Sequence, residues 1–316
     1  MTSLPRRAAV LGHPIAHSLS PVMHRAAYAA LGLRSWRYEA FDVDEPELAG
    51  FVRSIDAEWA GLSLTMPLKR AVQAHLIGQS DLAAQVGAVN TVVVESGLSS
   101  SQGSSSEGGS EGGSEGGSGA GGAVRLRGYN TDVYGVIHAL GEAGADRVAE
   151  AVVLGGGATA ASALAALRDL GCARPVVLVR SAHRAAHLLE AAQRLGVEVE
   201  LDALDVEVAS RRLRSLPPGS AVISTLPGDA ADALAEELAG AARPAAQVPV
   251  LLDVRYHPWP TPLATSWAGA GGAVSSGFSM LVHQAEGQVR LMTGRRPPLE
   301  VMRAAGQAEL ERRSAG

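Results

Sequence analysis

The run Ala151-Val152-Val153-Leu154 is apolar at every position, and Gly155-Gly156-Gly157-Ala158-Thr159-Ala160 follows it directly, leading into an alanine-rich segment that ends near Leu170. Side chains of this kind leave no face for water, so the run predicts a strand covered on both sides, as in parallel sheets flanked by helices. A chain that leaves such a strand through a glycine turn into a long helix is building a βαβ unit, which restricts the fold to the α/β class. The spacing Gly155-x-Gly157-x-x-Ala160 narrows it further. The first glycine permits the tight turn, the second lets a pyrophosphate approach the backbone, and a small third residue lets the helix sit close to the strand. A phosphate held there would rest on free amides at the helix N-terminus. The expectation is a Rossmann-like doubly wound dinucleotide-binding unit, although the same residues in isolation would also make a plain tight turn.

The alternation continues on both sides of this stretch. Before it, strands are predicted at Arg7 to Gly12, Trp36 to Val43 and Trp59 to Leu64, in parallel pairing. A helix from Ser20-Pro21 to about Leu31 is predicted with Ser20 as N-cap, another runs from Glu45 to Arg53, and Pro67 opens a third. Short strands at Asn90 to Val94 and Val124 to Arg127 flank residues 96–122, which contain three Ser-Glu-Gly-Gly units and read as a disordered insertion at a hairpin tip. After a helix from Val133 to about Ala143, strands follow at Pro175 to Val179, Val197 to Leu201, Ala221 to Ser224 and Val250 to Asp253, with a helix at Ser181 to Leu195. Helices at Gly277 to Thr293 and Pro298 to about Glu311 have no strand after them and are expected to pack back as a cover. The expected division is a first α/β domain formed by 1–131 with 278–316, and a nucleotide domain at 132–277.

Composition limits what such a fold can serve. With 47% hydrophobic and 19% charged residues the chain is of the soluble globular type. A net charge of -5 offers nothing to a phosphate backbone, so nucleic acid is not expected as a partner. Cys172 is the only cysteine, which excludes an internal disulfide or a cysteine-built zinc site. His183 and His187 lack a third ligand, so no metal is expected. No apolar run long enough for a signal peptide or a membrane span is present, and the expected location is the cytoplasm. A homodimer is left open.

Against this background some residues are conspicuous by rarity. Lys69 is the only lysine, in Thr65-Met66-Pro67-Leu68-Lys69, and every other fixed cation is arginine. An ammonium can give and regain a proton where a guanidinium cannot, so Lys69 is a candidate for proton transfer, against the alternative of a solvated helix position. Asn90 and Asn130 are the only asparagines and each precedes a threonine, which suits either the fixing of ligand hydroxyls or Asx-type turns. Ser18 and Ser20 bring hydroxyls to a helix N-terminus, where a carboxylate is favoured. Asp132 either caps its helix or tunes a nearby amine. Arg180 follows the second strand of the nucleotide unit, where an acidic residue would suit NAD. An arginine there suits the 2′-phosphate of NADP, so NADP is expected, with NAD as the alternative.

Together these motifs resemble the shikimate dehydrogenase family over nearly the whole chain. The resemblance rests on Ser18-x-Ser20-Pro21, Thr65-x-Pro67-x-Lys69, Gly87-Ala88-x-Asn90-Thr91 and Gly128-Tyr129-Asn130-Thr131-Asp132, followed by Asp253-x-x-Tyr256-x-Pro258 and Gly277-x-x-Met280-Leu281-x-x-Gln284-Ala285. It implies NADPH-dependent reduction of 3-dehydroshikimate to shikimate, a step of aromatic amino acid biosynthesis. It further implies that Lys69 and Asp132 are the catalytic pair, that Ser18, Ser20, Thr65, Asn90, Tyr256 and Gln284 hold substrate, and that Gly277 and Met280 flank the nicotinamide. Gly155, Gly157, Ala160 and Arg180 would hold the rest of the cofactor. Ser63 and Val179 depart from the family pattern, each standing where an asparagine is common. An NAD-using quinate/shikimate dehydrogenase is the near alternative, and a catalytically silent nucleotide-binding regulator a more distant one that retention of Lys69 and Asp132 speaks against.

Overall fold

The computed structural model describes residues 5–95, 124–239 and 248–315, and the expected insertion at 96–122 lies outside them. The described residues build two six-stranded sheets. The first contains β1 (Arg6–Gly12), β2 (Trp36–Asp42), β3 (Trp59–Leu64), β4 (Gly78–Gln79), β5 (Thr91–Glu95) and β6 (Arg125–Tyr129), in the order β2-β1-β3-β5-β6-β4. Strand β1 pairs in parallel with β2 and β3. The parallel pairing expected for the first three strands holds, while β3 with β5 and β5 with β6 are antiparallel. Strands β5 and β6 face each other as a hairpin, Thr91 opposite Tyr129, and a hairpin reverses direction without a crossover helix.

The second sheet contains β7 (Ala151–Leu154), β8 (Val176–Val179), β9 (Glu200–Ala203), β10 (Ala221–Ser224), β11 (Val250–Asp253) and β12 (Val274–Ser276). It is parallel throughout, in the order β12-β11-β10-β7-β8-β9. Chain order reverses between β7 and β10, and a crevice for a ligand opens there beyond the carboxyl ends of the strands. Every residue of β7 is buried, as its composition required, and each fully covered Val or Leu contributes roughly 1.5–3 kcal/mol. Strand β9 starts later than the Val197 expected. Gly196 ends the preceding helix in the left-handed region at φ 67°, and Val197 N–H bonds the Ala192 carbonyl at 2.9 Å, so Val197 still closes the helix.

The C-terminal helices do pack back. Helix Gly277–Thr293 lies against helix Asp132–Glu142 and reaches β3 and β5, while Leu299–Ser314 packs on Ser20–Ala30. The 17-residue Gly277–Thr293 helix is buried around most of its circumference, which its apolar and small residues permit. No helix among the described residues is long and apolar enough to cross a membrane.

Candidate active site

Lys69 sits in the short helix Leu68–Ala71 just after β3, and Asp132 is the first residue of the helix after β6. Lys69 Nζ donates to Asp132 Oδ2 at 2.6 Å, with side chains 14% and 1% exposed. The other carboxylate oxygen, Oδ1, accepts from Asn90 Nδ2 at 2.8 Å. Asn90 is itself held, since its Oδ1 accepts from Thr131 N–H at 2.8 Å and from Thr91 Oγ1 at 2.9 Å. A buried carboxylate with an ion-pair partner on one oxygen and an amide on the other has its desolvation offset at both.

This arrangement bears on the alternatives read for Asn90, Asp132 and Asn130. Asn90 has no exposed surface, and its side chain bonds Asp132, Thr91 and Thr131. Asp132 is no helix cap; Thr131 precedes the helix and makes no side-chain cap bond. Asn130 follows the Asx reading, with Oδ1 accepting from Val133 N–H at 3.3 Å and Nδ2 donating to the Ala88 carbonyl at 2.9 Å.

Lys69 and Asp132 lie in the wall of a cavity of about 230 Å³ between the two sheets. Ser18, Ser20, Ser63, Thr65, Tyr256, Gly277, Met280 and Gln284 line it as well. Ser20 is not the N-cap expected from the sequence; Leu19 takes that position, with Ser20 and Pro21 already in the helix. Ser18 Oγ accepts from Ser20 N–H at 3.3 Å, which leaves its proton for a ligand at the helix N-terminus. Tyr256 Oη donates to the His17 carbonyl at 3.4 Å, and Arg313 reaches the same carbonyl at 2.8 Å, so the C-terminal helix pins the loop carrying Ser18. Gly277 has to be glycine, because a Cβ there would overlap the Val254 carbonyl oxygen.

A second cavity of about 500 Å³ lies at the crevice of the parallel sheet, lined by Gly155, Gly156, Gly157, Arg180 and the run Thr225-Leu226-Pro227 after β10. Gly155 adopts φ 109°, and a Cβ on it would run into Thr225 Oγ1, so the turn needs glycine on two counts. Ala160 does not line this cavity: it is fully buried in the core beneath, where a small side chain brings helix to strand. Thr65, Lys69 and Thr159 border both cavities. Thr159 and Thr225 went unread in the sequence. Thr159 occupies a variable position of the glycine motif, and Thr225 is marked only by following a buried strand at the switch point.

Residues 10–92 match the family model for the shikimate dehydrogenase substrate binding domain, and 277–305 match that for the shikimate 5′-dehydrogenase C-terminal domain. The chain is 35% identical to a shikimate dehydrogenase (NADP(+)) of Symbiobacterium thermophilum, over 96% of this chain and 94% of that one. The chain belongs to the shikimate dehydrogenase family. The fold agrees: the crystal structure of Mycobacterium tuberculosis shikimate dehydrogenase superposes with a TM-score of 0.76 at 36% identity, covering 96% of this chain and all 100% of that one. A family member from Thermus thermophilus, solved in complex with NADP(H) and shikimate, superposes with a TM-score of 0.71 at 31% identity, covering 96% and 100% of the two chains.

Proposed function

We propose that this chain is an NADP-dependent shikimate dehydrogenase, interconverting 3-dehydroshikimate and shikimate in the shikimate pathway. The observation that carries the reading is the position of the Lys69–Asp132 pair: Lys69 borders both the substrate-sized cavity and the cavity over the glycine turn. The residues present fit the cofactor, because the Gly155 cradle is one that a Cβ would fill and Arg180 offers a cation at the rim. When bound, NADP supplies the hydride in reduction and takes it up in oxidation.

The remaining chemistry falls to the chain itself. The Lys69 ammonium gives a proton to the carbonyl oxygen as it becomes a hydroxyl and takes it back in the reverse direction. Asp132 keeps that ammonium aimed, and Asn90 keeps Asp132 from turning away. Ser18 and Ser20 receive the substrate carboxylate at the N-terminus of an 11-residue helix, whose dipole favours the anion. Thr65, Tyr256 and Gln284 supply polar groups for ring hydroxyls, while Gly277 and Met280, which line the same cavity, would hold the nicotinamide. On this reading 1–131 with 278–316 form the substrate domain and 132–277 the cofactor domain. The reaction is assigned to the cytoplasm, where substrate and cofactor diffuse freely, and a homodimer is a matter for light scattering.

The test is a steady-state assay of shikimate and quinate with each of NADP and NAD. Shikimate with NADP is expected to give the highest kcat/KM. Faster turnover with NAD or quinate would replace the reading by that of an NAD-using quinate/shikimate dehydrogenase, and no turnover with any pair would leave a silent nucleotide binder.

A further inference from the structure

Ser63 lies in the wall of the substrate cavity, yet its side chain is tied to a buried polar chain that runs away from that cavity. Tyr38 Oη donates to Ser63 Oγ at 2.6 Å, and Ser63 Oγ donates to Gln288 Oε1 at 2.9 Å. Gln288 Nε2 donates to the Asn90 backbone carbonyl at 3.3 Å, and His24 Nε2 lies 3.2 Å from Gln288 Oε1. Tyr38, Ser63, Gln288 and His24 are at most 2% exposed, so water does not satisfy them.

The proton directions in this chain follow from its end. A backbone carbonyl only accepts, so the amide nitrogen of Gln288 must face Asn90 and its oxygen must face Ser63 and His24. The reverse orientation would set two oxygens against each other in a buried place. Burial pushes the His24 imidazole down to about 3, so it is neutral, and its Nε2–H fills one acceptor site of the Gln288 oxygen. The other site takes the single proton of Ser63. Tyr38, held protonated by burial, has Ser63 and Ser20 as side-chain partners; because the Ser63 proton goes to Gln288, the bond between Tyr38 and Ser63 places the tyrosine proton on one Ser63 lone pair. What Ser63 has left is one lone pair and no proton.

We propose that Gln288 is a positioning residue that fixes Ser63 as a hydrogen-bond acceptor only, making this wall of the cavity a subsite for a substrate hydroxyl that donates. A carbonyl or carboxylate oxygen at the same point meets a lone pair and is rejected. The subsite therefore reads a ring hydroxyl that does not react, and it fixes which way round a polyhydroxylated ring acid lies. This rests on the proposed function above and adds to it a reason for the hydroxyl of Ser63 at this point of the wall.

The experiment is a double-mutant cycle on the KM for shikimate, with melting temperature recorded for each variant. Loss of one neutral hydrogen bond predicts a KM raised about 10-fold in Ser63→Ala, with a smaller change in kcat. Gln288→Leu frees the Ser63 proton to point into the cavity and is expected to raise KM by a similar factor. In the Ser63→Ala background Gln288→Leu should then raise KM no further. Gln288→Glu, whose protonated carboxyl keeps an acceptor towards Ser63 and a donor towards Asn90, should restore KM to within about twofold of the wild type. Equal KM in the wild type and Gln288→Leu, or additive effects of the two changes, overturns the proposal. If Gln288→Leu does not fold, Gln288→Glu decides alone: a KM raised as far as in Ser63→Ala overturns it. Failure of the wild-type chain to turn over shikimate would instead sink the proposed function, a result read before any variant is compared.

Discussion

Lys69 Nζ and Asp132 Oδ2 meet at 2.6 Å on the seam between the substrate cavity and the cofactor cavity, joining groups 63 residues apart in sequence. The pair is asymmetric in its surroundings. Asp132 is 1% exposed and held by Asn90 on its far oxygen, whereas Lys69 retains 14% exposure and a face towards both cavities. The carboxylate is thus a fixed part of the scaffold and the ammonium the part that can exchange a proton with a ligand.

Lys69→Ala is therefore expected to lower turnover on the order of 100-fold or more, with a smaller effect on KM. Lys69→Arg should not rescue it, because a guanidinium keeps the charge and withholds the proton. Removing the ammonium also leaves a buried carboxylate unpaired, at about 3–5 kcal/mol by analogy with other buried pairs, so turnover has to be expressed per folded molecule from a parallel denaturation curve. Unchanged turnover in folded Lys69→Ala would show that the proton travels by another group.

What was legible in the sequence follows from how far each signal reaches along the chain. Strands β3, β7, β10 and β11 match the reading from sequence to the residue because each is a short, mostly apolar run, a local signal. Strands β4 and β12 were not, since Gly78–Gln79 and Val274–Ser276 are too short for a period to appear. Helix Val206–Ser215 did carry a signal, the Asp205 side chain accepting from Glu207 N–H and Val208 N–H, but its charged face hid it. Lys69 and Asp132 stood out by rarity and context. The direction of the Asn90 amide did not, because it depends on Asp132 across 42 residues, and the contact of Ser63 with Gln288 spans 225.

His24 offers a test of the buried polar chain that does not depend on catalysis. Its folded pKa lies near 3, lowered first by burial and partly offset by the bond to Gln288, against 6.5 in an unfolded chain. The unfolded state thus binds the proton more readily. Stability from the neutral imidazole is fully present above pH 6.5 and is lost as pH falls from there towards 3. Between pH 8 and pH 5 the wild type should lose about 2 kcal/mol that His24→Gln does not lose, as read from urea denaturation at both values. Parallel pH dependence in the two proteins would mean that His24 reaches solvent or charges freely in the folded state.

Arg180 tests the cofactor assignment. It is exposed at the end of β8 and borders the cavity over the glycine turn, where a 2′-phosphate would be met and a 2′-hydroxyl would offer it little. Its neighbour Val179 cannot help. That side chain is 7% exposed, and its Cγ1 would lie 3.0 Å from a Cβ on Gly156, so it packs on the glycine turn instead of presenting an amide. Phosphate recognition at this point therefore leans on the guanidinium, whose charge-assisted hydrogen bonds are worth about 1.5–3 kcal/mol each. Arg180→Ala is expected to raise KM for NADP roughly 10- to 100-fold and to leave KM for NAD nearly unchanged, because only the phosphate loses a partner. Should both cofactors weaken equally, Arg180 supports the strand end without discriminating, and the valine at 179 becomes the mark of an enzyme that uses NAD.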